Sequence, residues 1–296
     1  MIASGSDSDI AFENIGELDA LLRLLDDPDS TVAQAVQKKL VEYGGNIVPH
    51  LRTLLENDPS VFTRRSCEII IHEFQKSALT TFQETIISAR NSDEDLNLEK
   101  SVIQLSKFGY PETNGAAISS QLDEIALDAH QSFTRTSSTN DLTLLMSLND
   151  SFFEQSGFRG ATPDYKPDHS YFHSLMKTRI GIPISLSAAY MLVGERVGIE
   201  LHGIGMPLHF LVFHPVLRVF IDVFNFGVFI SREDCKHFIS KSNFDFNDSM
   251  LDKVSNYSMI VRMIRNLIYA HSRNQEMWEA EQLQNTLDTI IQAKKL

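Results

Sequence analysis

Cysteine is scarce in this sequence. Cys67 and Cys235 are the only two among 296 residues, and they lie far apart. Such a pair forms neither a disulfide framework nor a zinc-binding spacing, so we expect reduced thiols. No apolar run reaches the roughly 18 to 20 residues of a membrane span. Residues 1–19 carry neither a basic region nor an apolar signal core. These absences predict a cytoplasmic protein with no membrane partner.

Positive charge is also in deficit. The chain has 26 Lys and Arg against 39 Asp and Glu, a formal net charge of -13. Proteins that bind nucleic acid neutralise phosphates with clustered Lys and Arg, and no long basic run is present. We therefore expect no nucleic-acid partner. The length fits either one large domain or two to three packed units.

The amino-terminal third has the pattern of short helical hairpins. Residues 1–12 are polar and rich in Ser and Asp, which predicts a disordered tail. Beyond them, Asp27-Pro28 and Asp58-Pro59 each follow a Leu-Leu pair and mark turns between helices. Two such copies predict a HEAT-like region over residues 13–92. So few repeats need a neighbouring unit for stability.

The carboxy-terminal part also has helical periodicity. Ile260, Met263, Ile264 and Leu267 form one apolar stripe, and a second helix follows within residues 255–294. The pair predicts a tetratricopeptide-like hairpin or a plain packing arm over residues 241–296. With a core over residues 93–240, the fold class predicted is α+β, predominantly α, with a small antiparallel sheet.

The core centres on residues 179–225. Pro183 is a good first residue of a helix, Gly198 ends that helix, and an apolar face recurs between them. Three runs rich in β-branched and aromatic residues follow and predict strands: residues 199–204, 209–214 and 217–223.

One histidine and one aspartate lie on the last two predicted strands. A hairpin centred on Pro215 and Val216 places His209 opposite Asp222, and opposite residues share a face of the sheet. A longer loop with the same centre is an alternative, and a slip of one residue would separate the two side chains. The carboxylate could orient the imidazole for catalysis, or the two could form a structural hydrogen bond.

Other candidate groups have plainer interpretations. His169 and His173 stand four residues apart at a predicted helix start, but no Glu between them supplies a general base. We predict no metal and no cofactor. Cys67 lies beside isoleucines and is interpreted as a small buried hydrophobe. Cys235 follows a capping box opened by Ser231, where the helix dipole favours a thiolate, whereas its aromatic neighbours favour burial.

Five runs, in this order, resemble the SirB-type transglutaminase-like family: residues 148–150 with 157–160, 170–171 with 179–187, 207–212, 221–227 and 231–235. The resemblance extends over about residues 15–290 and is strongest over residues 148–235. It implies a helical amino-terminal part, a papain-like α+β core and a helical tail.

The resemblance also implies a site: a cysteine at the amino end of the core helix, a histidine on the next strand and an aspartate on the strand after. His209 and Asp222 match the last two. The nucleophile should lie near Pro183, which has no nucleophilic atom. Ser185 and Ser187 are the hydroxyls nearby, and their helical phase turns them away from the expected direction.

Three hypotheses follow. The favoured one is a non-catalytic interaction or scaffold protein whose partner is another protein. The alternative is a hydrolase or acyltransferase on peptide or amide bonds, with His209 as general base, Asp222 orienting it, and Ser185 or Cys235 as nucleophile. A third is proton abstraction by His209 and Asp222 without a nucleophile.

Overall fold

The computed structural model describes residues 15–58, 60–91, 95–137, 139–161, 165–242 and 244–293. The predicted disordered tail and Pro59 lie outside these ranges. The chain divides into two compact units, Met1–Gln75 and Lys76–Leu296. The boundaries predicted at residues 92 and 240 stay predictions.

The first unit is helical. Asp27 has extended backbone, as expected of a residue before proline, and Asp29 caps the next helix by accepting a hydrogen bond from the Thr31 N–H. The Asp27-Pro28 turn is thereby confirmed, while the HEAT-like pairing stays a prediction. Cys67 is fully buried in the apolar core of this unit, and burial raises its pKa to about 11. The helices are α1 (Ile15–Arg23), α2 (Ser30–Glu42), α3 (Val48–Asn57) and α4 (Val61–Asn91), which continues into the second unit.

The second unit contains the remaining helices and all the strands of the described ranges. Asn97, Asn114 and Asn140 cap three of its helices by accepting hydrogen bonds from backbone N–H groups in the first turn. A π-helical turn, Asp150–Gln155, follows the third of these helices. The helices are α5 (Leu98–Gly109), α6 (Gly115–Arg135), α7 (Asp141–Asn149), α8 (Phe172–Thr178), α9 (Pro183–Arg196), α10 (Arg232–Lys241), α11 (Asn256–Arg273) and α12 (Met277–Gln292).

Helix α9 lies at the centre of this unit. It begins at Pro183 and is followed by Gly198 at a φ of 80°, which confirms both predicted ends. The expectation of an amphipathic helix with one core face was wrong. Ten of its 14 residues are buried, because α5, α6, α8 and the sheet all pack around it.

The sheet is small and antiparallel, with the order β3-β4-β5-β6. β1 and β2 form a separate parallel pair. The fold class α+β, predominantly α, is confirmed. No helix in the described ranges is long and apolar enough to cross a membrane. The strands are β1 (Arg159–Gly160), β2 (Ile180–Gly181), β3 (His202–Ile204), β4 (Leu211–His214), β5 (Val219–Asp222) and β6 (Val228–Ile230).

The carboxy-terminal helices are fixed to the core by a polar chain as well as by apolar packing. The predicted stripe on α11 is buried, and α11 packs on α12. His271 Nε2 lies 2.8 Å from the Tyr171 hydroxyl, and its Nδ1 lies 2.6 Å from Glu276 Oε2. The Tyr171 ring is buried in the main core. Helix α11 also forms one wall of a cavity. Its likeness to a tetratricopeptide hairpin stays a prediction.

Candidate functional site

His209 and Asp222 lie next to each other, as predicted. His209 Nε2 is 3.0 Å from Asp222 Oδ1, and both side chains are nearly buried. The ring N–H is not aligned with that oxygen, so the contact is a close approach of the two groups without a well-directed hydrogen bond. His209 Nδ1 has no hydrogen bond to a described residue. One ring nitrogen thus faces a carboxylate.

The register that suggested this pairing was wrong by two residues. Val212 pairs with Ile221 and His214 pairs with Val219. In this register His209 does not lie directly opposite Asp222. His209 itself precedes β4. The turn spans residues 215–218 and is centred one residue later than predicted. Because a shift of two residues keeps every side chain on its face, His209 and Asp222 still meet, along a diagonal.

Asp222 is held as a carboxylate. Burial acts to raise its pKa, but the adjacent His209 and two hydrogen bonds from Asn225 outweigh burial, so the pKa lies below its ordinary value. The Asn225 backbone N–H donates to Oδ1 at 3.2 Å, and its side-chain amide donates to Oδ2 at 2.8 Å. Asp222 therefore also caps the 3-10 turn that follows β5.

The His209 ring lies between aromatic rings. Its centroid is 6.1 Å from that of Phe224 in an edge arrangement and 5.5 Å from that of Phe238 on α10. The segment before β4 is fixed by Arg262 of α11, whose Nη1 donates to the Met206 carbonyl at 2.9 Å and whose Nη2 donates to the His209 carbonyl at 2.8 Å. The imidazole therefore packs against aromatic rings, and the backbone that carries it is hydrogen-bonded to α11.

A cavity of about 380 Å³ opens at this histidine. Residues 182–184, at the amino end of α9, form part of its wall, and residues 208–210 form another part. Helix α11 adds Arg262, Asn266 and Tyr269. Pro183 therefore lines the same cavity as His209, where the resemblance places a nucleophile, and it offers no nucleophilic atom.

Ser185 is turned to the backbone. Its hydroxyl lies 2.8 Å from the His169 carbonyl and 3.1 Å from the Ile182 carbonyl, and it accepts a hydrogen bond from the Ile182 N–H at 3.0 Å. It is fully buried and does not line the cavity. Ser187 is equally buried, and its hydroxyl has no hydrogen-bond partner among the described residues. The structure thus supplies a capping role for Ser185.

Cys235 is buried in a separate apolar cluster beneath the sheet, with Ile204, Leu211 and Ile239. Burial, and after it the nearby charge of Asp234, raise its pKa to about 12. The helix dipole was expected to favour a thiolate here, and burial outweighs it. At neutral pH the group is an un-ionised thiol.

The two histidines of the predicted helix start do not lie on one helix. His169 belongs to a 3-10 turn, Pro167–Ser170, and Tyr171 is extended before α8 begins. His173 instead stacks on Tyr110, with ring centroids 4.6 Å apart. No group of three or more His, Cys, Asp or Glu side chains in the described ranges could hold a metal ion.

A larger open groove, of about 1330 Å³, lies along α9 and β3 without touching His209. Arg196, one of the cations that line it, is paired with Glu99 at 2.8 Å and with Asp123. The groove also contains a contact of His202 Nε2 with Glu200 Oε1 at 2.9 Å, but the Glu200 side chain is 69% exposed, whereas His209 and Asp222 are nearly buried.

The polar face of α11 was not predicted from the sequence. Arg262, Asn266 and Tyr269 recur at helical spacing and face the cavity. That spacing was visible in the sequence. The apolar stripe on the same helix was enough to predict a helix, so the spacing of the polar residues was not used. A polar face is ordinarily solvated, so only tertiary packing distinguishes this one.

Part of the chain is similar to a known protein family. A model described as the transglutaminase-like superfamily matches residues 116–265, just over half of the chain, which include Pro183, His209 and Asp222. No solved structure matches the chain.

Among curated proteins, UPF0162 proteins from Xylella fastidiosa strains Temecula1 and 9a5c are 27% and 26% identical to this chain. The matches cover 63% and 61% of this chain and 69% and 67% of those proteins. Mouse F-box only protein 21 is 25% identical over 50% of this chain, which is 25% of its own length. On the extent of the family match, this chain belongs to the transglutaminase-like superfamily.

Proposed function

We propose that this chain is a non-catalytic member of the superfamily, of the SirB type, that binds another protein. The observation that carries the proposal is Pro183 in the wall of the His209 cavity. Proline supplies no thiol at the position where the resemblance places the nucleophile, while the histidine and aspartate remain packed next to each other. Binding without turnover is what such a cavity can still do.

The remaining helices suit this function. The HEAT-like and tetratricopeptide-like parts present helical surfaces that add contact area to that of the core. The match to a quarter of F-box only protein 21 supports a core that serves as one module of a larger protein. The cytoplasmic location expected from the sequence belongs to the same proposal.

The test is a turnover assay of the full chain on a denatured protein substrate, with a fluorescent primary amine as acyl acceptor. Hydrolysis is followed by new amino termini and acyl transfer by amine incorporation. We expect neither above the level of His209→Ala. Turnover that is present in the unaltered chain and absent from His209→Ala would overturn the proposal.

The second candidate is the hydrolase or acyltransferase, and the His209 and Asp222 geometry favours it. Its nucleophile must be Ser185 or Cys235. Ser185 would have to leave its backbone partners, and Cys235 would have to lose a proton with a pKa of about 12. If turnover is found, loss in Ser185→Ala or Cys235→Ala identifies the nucleophile. If turnover persists in both variants, the remaining hypothesis is proton abstraction by His209 and Asp222 without a nucleophile.

A further inference from the structure

The cavity beside His209 contains a cation, Arg262, that has no counterion among the described residues. Arg262 uses two of the five N–H donors of a guanidinium on the Met206 and His209 carbonyls. No ion pair joins it to a carboxylate within the described ranges, and burial lowers its pKa with no acidic neighbour to offset the effect. In a chain with a net charge of -13, a half-buried guanidinium with no carboxylate partner in the described part of the chain is conspicuous. A planar anion such as a carboxylate could accept hydrogen bonds from the remaining N–H donors of Arg262.

The rest of the lining is suited to an apolar group. Phe210, Phe224 and Tyr165 line the cavity, and the Arg262 guanidinium lies 5.5 Å from the centroid of the Phe210 ring. Leu208 and Tyr269 lie in the lining with 72% and 57% of their surface exposed. An aromatic or aliphatic side chain could bury its surface here while an attached anion contacts Arg262.

The volume limits what can enter. About 380 Å³ is at the lower end of the ~300–1,000 Å³ usual for ligand sites. Such a cavity holds one or two residues of a chain and excludes a folded surface. A single guanidinium with an amide neighbour, Asn266, matches the geometry of a carboxylate. A dianionic phosphate is ordinarily met by several cations.

From these contacts we infer that the cavity binds the free carboxylate end of a polypeptide whose last residue is apolar. Arg262 binds the carboxylate, and the aromatic wall binds the last side chain. The inference rests on the proposed function, since it makes the cavity a binding site in place of a reaction site. It specifies the partner as a protein with an accessible carboxyl terminus.

The test compares acetyl-Gly-Gly-Phe as the free acid with the same peptide as the carboxamide, by calorimetric titration of the unaltered full chain. We expect saturable binding of the acid and at least about tenfold weaker binding of the amide, because a charged hydrogen-bonded contact is lost. Equal affinities, or no binding of the acid up to about 10 mM, overturn the inference. This comparison does not depend on the folding of any variant.

Two variants then locate the contact. Arg262→Gln should weaken binding of the acid by about tenfold or more, while Arg265→Gln, which removes the same charge from an exposed position on the same helix, should leave it within about twofold. Melting temperatures report whether each variant is folded. Undiminished binding by a folded Arg262→Gln protein contradicts the assignment.

A third ligand, N-acetylphenylalanine, distinguishes a site for polypeptide ends from a site for small carboxylic acids. If N-acetylphenylalanine binds as tightly as the tripeptide, the site takes small carboxylic acids and the polypeptide end is rejected. Mass spectrometry of the recovered peptide shows whether it was cleaved or altered. Bound and altered peptide contradicts the non-catalytic function, whereas absence of binding with intact peptide contradicts this inference alone.

Discussion

His209 Nε2 lies 3.0 Å from Asp222 Oδ1 although the two residues are not opposite each other in the β4-β5 ladder. The diagonal contact exists because Arg262 fixes the backbone before β4 and Asn225 fixes the carboxylate after β5. Substitutions at the site should therefore change the stability of the protein or the reactivity of its side chains.

Asp222→Asn should destabilise the protein near pH 7 by about 1–3 kcal/mol, the cost typical of leaving buried polar partners unmet. A carboxyl whose pKa is lowered on folding contributes stability above its unfolded value, and that contribution is lost as pH falls through the folded pKa. The ordinary value is 3.8, and the folded value lies below it. The difference between the two proteins should therefore shrink below about pH 4.

Denaturant melts of both proteins at several pH values measure this difference. Asp128→Asn is the matched control, because Asp128 is exposed on α6. Asp128→Asn should lower the free energy of unfolding only slightly at any pH. If the difference in free energy of unfolding between the unaltered and Asp222→Asn proteins persists unchanged to about pH 2.5, the carboxylate charge is not what stabilises the site.

Ser185→Ala should cost about 1 kcal/mol, because the helix α9 cap loses the hydroxyl that accepts from the Ile182 N–H. Ser187→Ala is the matched control. Its equally buried hydroxyl has no described partner, so its removal should be neutral or slightly stabilising. Chemical denaturation of the two variants measures both effects. Equal costs would contradict the capping role of Ser185.

Both native cysteines should react slowly with a thiol-directed reagent at about pH 7.5, because only the thiolate reacts. Burial raises the pKa of Cys67 to about 11 and that of Cys235 to about 12. Labelling in denaturant should be faster by orders of magnitude. Mass spectrometric mapping that finds Cys235 labelled rapidly in the native protein would reopen its role as a nucleophile.

Pro183→Cys should create a reactive thiol in the His209 cavity. The position is the first of a helix and lines the same cavity as the imidazole, and both features favour a thiolate. Labelling at neutral pH should be faster at the substituted position than at either native cysteine. Adding His209→Ala should slow it. An introduced thiol that reacts as slowly as the two buried ones would show that the amino end of α9 is not positioned for chemistry.

Several features of the fold were predictable because they are local. Proline at Pro183 and glycine at Gly198 begin and end α9 through backbone constraints that no distant contact alters. The apolar stripe of α11 likewise follows from helical spacing. The pairing of His209 with Asp222 was also predicted, although from a register that was wrong by two residues. It survived because the two faces of a strand alternate with period two.

Other features could not be predicted. An i, i+4 pattern suggested one helix through His169 and His173, but Tyr171 is extended between them because its ring enters the core and its hydroxyl reaches His271. The Arg262 face of α11 was not predicted either, because its place in the cavity wall depends on how α11 packs against distant parts of the chain.

The sequence alone therefore determined where helix α9 starts, which residues could pair beside it, and that its first residue cannot be a nucleophile. These facts depend on covalent structure and on short periodic patterns. Tertiary structure decided the ladder register, the burial that keeps the Cys235 thiol un-ionised, the backbone partners of Ser185 and the position of the Arg262 guanidinium beside His209. Each of these depends on what packs against a side chain from distant parts of the chain, and that is set by the whole core.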